Sequence, residues 1–391
     1  MYSLYFSVPF CRARCGYCDF NSYAGLEDLI APYSRALAKE VDLLGRLCPE
    51  AGAPGGRAEA GTIFFGGGTP SVMPLADLER VFAAVRRSFA LSPGSEITLE
   101  ANPGTVDGAY LAGLRALGVN RLSLGVQSTN ADELALLGRI HTAEQAVEAV
   151  RLARGAGFDN LNLDLMMGLP AQSLSGWQTT LRQALELQPD HLSCYMLSLE
   201  DGTRLNADVQ AGRLPAPDPD LAADMYEWTG ETLEANGFVQ YEISNWARGI
   251  DRACQHNLTY WRNRPYLGFG AGAHGCAAAT RYSNVLTPQA FIERLEQGEP
   301  SVFPFSPALV EQIPVSLEDA IGETLMLGMR LVEEGVSNET FEPRFGSSLR
   351  DKYGAVLKKL AAQGLVEWDG SRTRLTKRGR LLGNVVFREF V

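Results

Sequence analysis

The chain has 391 residues, 46% of them hydrophobic, which is enough for one large domain, a smaller one and a sizeable buried core. With 35 Lys+Arg against 46 Asp+Glu the formal net charge is −11, which argues against a broad electrostatic attraction to nucleic acid or to an anionic membrane. No charged-then-apolar leader and no uninterrupted apolar run of about 18 residues is present, and seven cysteines, three of them crowded at one end, do not make a secreted disulfide framework; a cytoplasmic chain with reduced thiols is expected.

In chain order, YSLYFSV at 2–8 reads as a strand, followed by strand-like runs TIFF (62–65), EITLEA (96–101), RLSLGV (121–126), NLNLDL (160–165) and HLSCYMLSL (191–199). Apolar-periodic helix candidates lie between them, at about 28–47, 75–89, 107–117, 143–155 and 175–187. Strand-then-helix repetition implies parallel strands, because each parallel step needs a crossover. Polar residues gather at the C-terminal end of every strand, as CRARCGYC, GGGTPS, EANPG, QST, DLMMGLP and SLEDGT. Such ends all face one mouth in a barrel, whereas an open doubly wound sheet concentrates them at one switch point. The expected fold class is therefore α/β, an incomplete (β/α)6 TIM-like barrel over residues 1–204.

LNADVQAGRLPAPDPD (205–220) reads as a linker, 221–236 as a helix, FVQYEISN as a strand, and 264–279 as a Gly-rich, less regular stretch. Together 205–310 form an extension packing on the barrel. Residues 311–391 change pattern: helices near 317–332, 338–343 and 347–363, a hairpin around the Asp369-Gly370 turn, and a last helix at 377–388. This is a C-terminal helical, winged-helix-like domain, and without a basic recognition helix it reads as a packing or protein-contact unit rather than a DNA reader.

The chemistry begins at SVPFCRARCGYCDF, where Cys11, Cys15 and Cys18 occupy eight positions directly after the first strand. Structural zinc wants four protein ligands, and neither a second CxxC nor a His pair follows. A [4Fe–4S] cluster held by three thiolates keeps one iron open to an outside ligand. Gly66, Gly67 and Gly68 let backbone approach a ligand closely, although an ordinary tight turn explains them as well, and the Lys of a P-loop is missing. Glu100 and Asp164 suit ribose hydroxyls, Gln127 donates and accepts, and Arg139 can grip a carboxylate. Singly, each is as readily a solvated or helix-capping group.

CxxxCxxC with Tyr17 before its last Cys, after a first strand and ahead of a (β/α) repeat, resembles the radical S-adenosylmethionine superfamily, in which the open iron chelates that cofactor's methionine moiety. The strings YFSVPFC, FFGGGTPS, LEANPGT, LSLGVQS, LGRIHT, LDLMMGLP and SLEDGT resemble, in order and spacing, its coproporphyrinogen III oxidase-like branch. That resemblance implies a radical SAM barrel, metal ligands Cys11, Cys15 and Cys18, and S-adenosylmethionine contacts from Tyr5, Tyr17, Gly67, Gly68, Thr69, Glu100, Gln127, Arg139 and Asp164, with Ser198 as a backbone contact.

Two functions compete within the branch. The oxidase, which decarboxylates propionates of coproporphyrinogen III, has an N-terminal extension and a further Cys two residues after the third; here the first strand begins at Tyr2, and Phe20 stands at that position. The HemW-type haem chaperones carry CDFNS (here 18–22), HNxxYW (here HNLTYW, 256–261) and a C-terminal motif matched by LTKRGRLLGNVVFREF at 375–390. This resemblance implies a chain that binds haem and delivers it to respiratory haem proteins, with His256, Asn257, Tyr260 and Trp261 as the haem-binding set and His256 as axial ligand. Cys254 and His274 are competing ligands, since thiolate and imidazole both bind haem iron. Delivery to membrane-embedded recipients implies transient membrane contact, yet no basic amphipathic helix is evident.

Overall fold

A computed structural model describes residues 1–48, 56–298 and 300–391. It divides into two compact units, Met1–Tyr226 with Pro265–Ile313, and Glu227–Arg264 with Pro314–Val391. The segment 205–310, expected to act as one extension, is thus shared between them.

In the first unit β1 (Tyr2–Val8), β2 (Ala58–Gly67), β3 (Phe89–Ala101), β4 (Arg121–Gln127), β5 (Leu161–Met167) and β6 (His191–Met196) each pair in parallel with the next. Helices α1 (Ile30–Leu47), α2 (Leu75–Ser88), α3 (Gly108–Leu117), α4 (Ala131–Leu137), α5 (Ala143–Gly155) and α6 (Leu174–Glu186) make the crossovers, and α7 (Arg204–Gln210) follows β6. From β1 to β6 the strands lie side by side in chain order, forming the arc of a barrel as the strand ends suggested.

The strands show why the arc holds a site. On one face lie Thr98 and Glu100, Arg121, Ser123, Gly125 and Gln127, Asn162 and Asp164, and His191 and Ser193. On the other lie Leu4, Phe6, Ile63, Phe65, Leu99, Leu122, Leu124, Leu163 and Leu192, all fully buried. With a period of two, one face packs on the helices and the other lines a polar interior. Phe6 stacks on Phe65 at 4.6 Å between ring centroids and on Phe269 at 5.0 Å, anchoring the apolar side.

Phe269 belongs to β7 (Tyr266–Phe269), which pairs in parallel with the outer edge of β1, Ser3 facing Tyr266 and Phe6 facing Phe269. Antiparallel β8 (His274–Ala277) and β9 (Thr280–Asn284) and then β10 (Leu309–Pro314) extend the sheet. The stretch 264–279 is therefore ordered sheet rather than irregular chain. Its glycines serve close packing: a Cβ on Gly268 would overlap the backbone of His274. The expected linker at 205–220 is likewise partly helical, because Thr203 accepts the Asn206 N–H and caps α7.

In the second unit strands Val239–Glu242 and Asn245–Ala247 form a hairpin, and a short helix spans Gln255–Trp261. Tyr241, Ala247, Ala253, Leu258 and Leu331 share a core. Helices Leu317–Gly328, Asn338–Phe345 and Leu349–Ala362 precede strands Val366–Trp368 and Arg372–Leu375, the helix–helix–helix–hairpin order expected of a winged-helix-like domain. Capping boxes Ser316/Asp319 and Ser348/Asp351 start the first and third helices. The single last helix expected at 377–388 is two, Lys377–Leu381 and Gly383–Phe387, joined through Leu382.

Candidate cluster and cofactor site

The cysteine loop leaves β1 and is held by backbone contacts remote in sequence. The Gly16 N–H donates to Leu137 O at the end of α4 (2.9 Å), and Gly16 O accepts from Leu205 N in α7 (2.8 Å). Beside it, the Gly68 N–H donates to Val8 O (2.9 Å) and the Thr69 N–H to Phe10 O (2.8 Å), so the turn after β2 continues the β1–β2 ladder into the loop. Cys11, Cys15 and Cys18 are free, partly exposed thiols lining one cavity of about 310 Å3 at the C-terminal mouth of the strands.

The cavity brings together nearly all of the expected cofactor residues: Tyr17, Gly67, Gly68, Thr69, Glu100, Gln127, Arg139, Asp164 and Ser198 line it. Tyr5 does not; its hydroxyl lies below Gly67, and burial, with the Glu100 charge adding, pushes its phenol well above the ordinary range. A Cβ on Gly66 would come within 3.0 Å of Glu100 Oε2, and one on Gly125 within 2.8 Å of Asn102 Oδ1, so a backbone-walled cradle is maintained by missing side chains. Gln127 has φ of 67°, where β4 slips register against β5. That left-handed residue is strain held at the cavity wall, of about 1 kcal/mol.

Residues that escaped the sequence reading position the ones it found. Asn102 Nδ2 donates to Thr69 Oγ1 (2.9 Å), which lies 3.4 Å from Cys11 Sγ. Arg139 donates to Cys15 Sγ (3.3 Å), to Gly125 O (2.6 Å) and to Asn102 Oδ1, while its buried Nε has no partner. Asp164 accepts from Ser123 Oγ (3.0 Å) and Asn162 Nδ2 (2.8 Å). Asn162 in turn is fixed by His191 Nδ1 at 2.6 Å, and burial, then the Arg121 charge, holds that imidazole well below its ordinary pKa.

Three free thiols in one cavity are the donor type a three-thiolate iron–sulfur cluster would take, although among the described residues no three His, Cys, Asp or Glu side chains are grouped so as to hold a single metal ion. Burial pushes the Cys11 and Cys18 thiols up, so in the ligand-free cavity they favour the protonated form. Desolvation, with the Asp164 charge second, pushes Glu100 up to about 8. An isotope-edited infrared titration of the ligand-free protein is expected to find Glu100 ionising near pH 8, and at lower pH in Asp164→Asn. An unchanged midpoint in that variant would show that desolvation acts alone.

Residues 5–184 match the Radical SAM superfamily model, and residues 315–382 the HemN C-terminal domain. The chain is 39% identical to "Heme chaperone HemW" of Bacillus subtilis, covering 100% of this chain and 99% of that protein. The protein of the same name from Mycobacterium tuberculosis is 37% identical over 99% and 94%. This chain belongs to the HemW family. "Radical S-adenosyl methionine domain-containing protein 1, mitochondrial" of Bos taurus is 39% identical to this HemW-family chain, over 96% of it and 84% of the bovine protein. The solved coproporphyrinogen III oxidase (HemN) of Escherichia coli, a radical SAM enzyme, shares the fold: TM-score 0.84 at 24% identity, over 99% of this chain and 89% of that one.

The HemW-type motif HNLTYW lies in the second unit, on the helix Gln255–Trp261. His256 is buried, with Nε2 2.9 Å from Tyr260 Oη and the two rings edge-to-face at 5.1 Å. Asn257 and Trp261 are four residues apart and so share a different helix face from His256 and Tyr260. Cys254 is fully buried, and the His274 side chain belongs to β8 of the first unit. No helix among the described residues is long and apolar enough to cross a membrane.

Proposed function

We propose that this HemW-family chain binds a [4Fe–4S] cluster through Cys11, Cys15 and Cys18, takes S-adenosylmethionine in the adjoining cradle, binds haem and delivers it to respiratory haem proteins. The observation that carries the reading is the lining of the barrel cavity. Three free thiols meet Glu100, Asp164 and Gln127 there, and Arg139, the one cation among the described lining residues, already donates to Gly125 O, Asn102 and Cys15. A substrate bearing several propionates would face Asp19 and Glu200 with no second cation among the described lining residues, which favours carriage over propionate decarboxylation. Phe20, exposed in the same wall where the oxidase branch has a Cys, points the same way.

When bound, the cluster supplies an electron to the cofactor. The chain's own residues hold and orient. Arg139 lines the cradle and offers its guanidinium to the cofactor carboxylate. Glu100 and Asp164 offer acceptors to ribose hydroxyls, and Gly67 and Gly68 bring backbone against the ligand. Haem ligation through His256 Nε2 requires the Tyr260 hydroxyl to turn away, since that nitrogen already faces it.

Anaerobically reconstituted protein is expected to contain iron and sulfide in equal amounts, to develop a Soret band on haem titration, and to leave coproporphyrinogen III intact with S-adenosylmethionine and reductant. Stoichiometric decarboxylation would replace this reading with the oxidase. An unchanged haem affinity in His256→Ala would remove that residue as ligand.

A further inference from the structure

One level below the cofactor cradle, strands β4, β5 and β6 place Ser123, Asn162 and His191 side by side, with Gly125, Asp164 and Ser193 in the level above. Asp164 lines the cavity, whereas Asn162 and His191 are buried beneath it and are not among its described lining residues. A wholly buried imidazole and carboxamide cost desolvation that two apolar side chains would not. Their hydrogen bonds show what they hold.

Asn162 Oδ1 accepts from His191 Nδ1 (2.6 Å) and Ser193 Oγ (3.2 Å). Asn162 Nδ2 donates to Asp164 Oδ1 (2.8 Å) and to Ser123 Oγ (2.7 Å), and Ser123 Oγ donates to Asp164 Oδ2 (3.0 Å). Both carboxylate oxygens are thus gripped from below, directly or through Ser123, by one amide. A carboxamide turned over would set its oxygen against the Asp164 carboxylate, so its orientation depends on a proton at His191 Nδ1. Burial, then the Arg121 charge, holds that ring well below its ordinary pKa, so it is neutral and the place of its proton is a matter of tautomer. Asp164 is pushed up by burial and drawn back by hydrogen bonds from Ser193, Asn162 and Ser123.

We propose that His191 is a positioning residue for the sugar of the bound cofactor: its Nδ1–H fixes the Asn162 amide, and that amide aims the Asp164 carboxylate at the ribose hydroxyls of S-adenosylmethionine. The inference rests on the cofactor reading and adds to it two residues that do not touch the ligand. A ribose diol is held best by an acceptor whose direction is set before the ligand arrives, because a loosely aimed carboxylate loses binding energy to its own ordering. The effect is confined to the sugar. Groups that take the methionine end of the cofactor do not pass through this relay.

The test is a calorimetric titration of the full-length, anaerobically reconstituted protein with S-adenosylmethionine and with its analogue lacking both ribose hydroxyls. His191→Leu is expected to weaken S-adenosylmethionine binding at least tenfold and to leave affinity for the analogue at the wild-type value. His191→Asn, which keeps a donor near the Nδ1 position, is expected to recover most of that loss. In an Asp164→Asn background His191→Leu is expected to add nothing. Nitrogen-15 spectra of wild type labelled in its four histidines, with the His191 signal assigned by its loss in His191→Asn, are expected to show the Nδ1–H tautomer. The Nε2–H tautomer there would overturn the relay even if His191→Leu did not fold. An equal loss for both ligands, or no loss for either, would overturn it while leaving the cofactor reading standing. Failure of wild type to bind S-adenosylmethionine at all would overturn both.

Discussion

Gly68→Ala is expected to cost about 3 kcal/mol, the upper part of the range for overpacking a filled site, and to deprive the protein of most of its iron. A Cβ at residue 68 would come within 2.7 Å of Phe10 O, 2.8 Å of Val8 O and 2.9 Å of Phe10 N. All three are backbone atoms of the strand end that carries Cys11, so no rotamer change relieves the clash. The Gly68 and Thr69 N–H groups bond to those same carbonyls, and the turn after β2 has to move away, breaking two ladder hydrogen bonds. Thr69 Oγ1, 3.4 Å from Cys11 Sγ, moves with it. At about 2–4 °C per kcal/mol for a unit of this size, the melting transition of the barrel falls by roughly 6–12 °C. Iron and sulfide analysis after anaerobic reconstitution checks the rest. Gly155→Ala is the control: no atom lies within 4 Å of its Cβ, and it sits on helix α5, where alanine gains up to about 1 kcal/mol. Equal iron content and equal melting in the two variants would refute the argument.

The same contacts show why the site was only partly legible in the sequence. The three cysteines, the glycine turn and the acids at the ends of β3 and β5 announce themselves, because unusual residues at strand ends in a barrel meet at one mouth. The pieces that lock them were hidden. Helix α4 is seven residues, ADELALL, too short for a clear 3.6-residue period, yet Leu137 O holds Gly16. Helix α7 was obscured by the Pro- and Asp-rich chain after it, yet Leu205 N holds the same glycine from the other side. Asn162 and His191 could have been found, since each lies an even number of residues from a polar partner on its own strand: Asn162 with Asp164, His191 with Ser193. Tyr5 is different in kind. Position on β1 fixes which face it occupies, but whether its hydroxyl reaches the cavity or stops beneath Gly67 depends on packing that no local pattern encodes. The strand β7 was missed because its glycines signal a loop unless the backbone they let approach is known.

Glu40→Ala is expected to cost about 3 kcal/mol by stranding buried donors, and the wild-type residue to make the fold weaken as pH rises. Glu40 lies on α1, fully buried, and its carboxylate gathers chain from far away. Oε2 accepts the Gly270 N–H (2.7 Å), and Oε1 accepts from Asn284 Nδ2 (3.0 Å) and Ser306 Oγ (2.6 Å). One side chain thus ties the loops around β7 and β9 to the helix layer of the barrel. Three donors favour the charged form, but desolvation is larger and pushes the carboxyl from 4.5 up to about 7. Because the folded state then holds its proton more tightly than the unfolded chain does, this contribution is complete below about pH 4.5 and is lost as pH climbs through about 7. At 1.36 kcal/mol per unit the swing is on the order of 3 kcal/mol. Glu40→Gln keeps one carbonyl acceptor and removes the ionisation, so its penalty relative to wild type should shrink between pH 5 and pH 8. Denaturant unfolding of the two proteins across that interval measures the difference directly, and cancels the parallel contribution of Glu100, which titrates in both. A penalty that stays constant, or grows, with pH would mean that Glu40 is ionised in the fold throughout and that its three donors outweigh its burial.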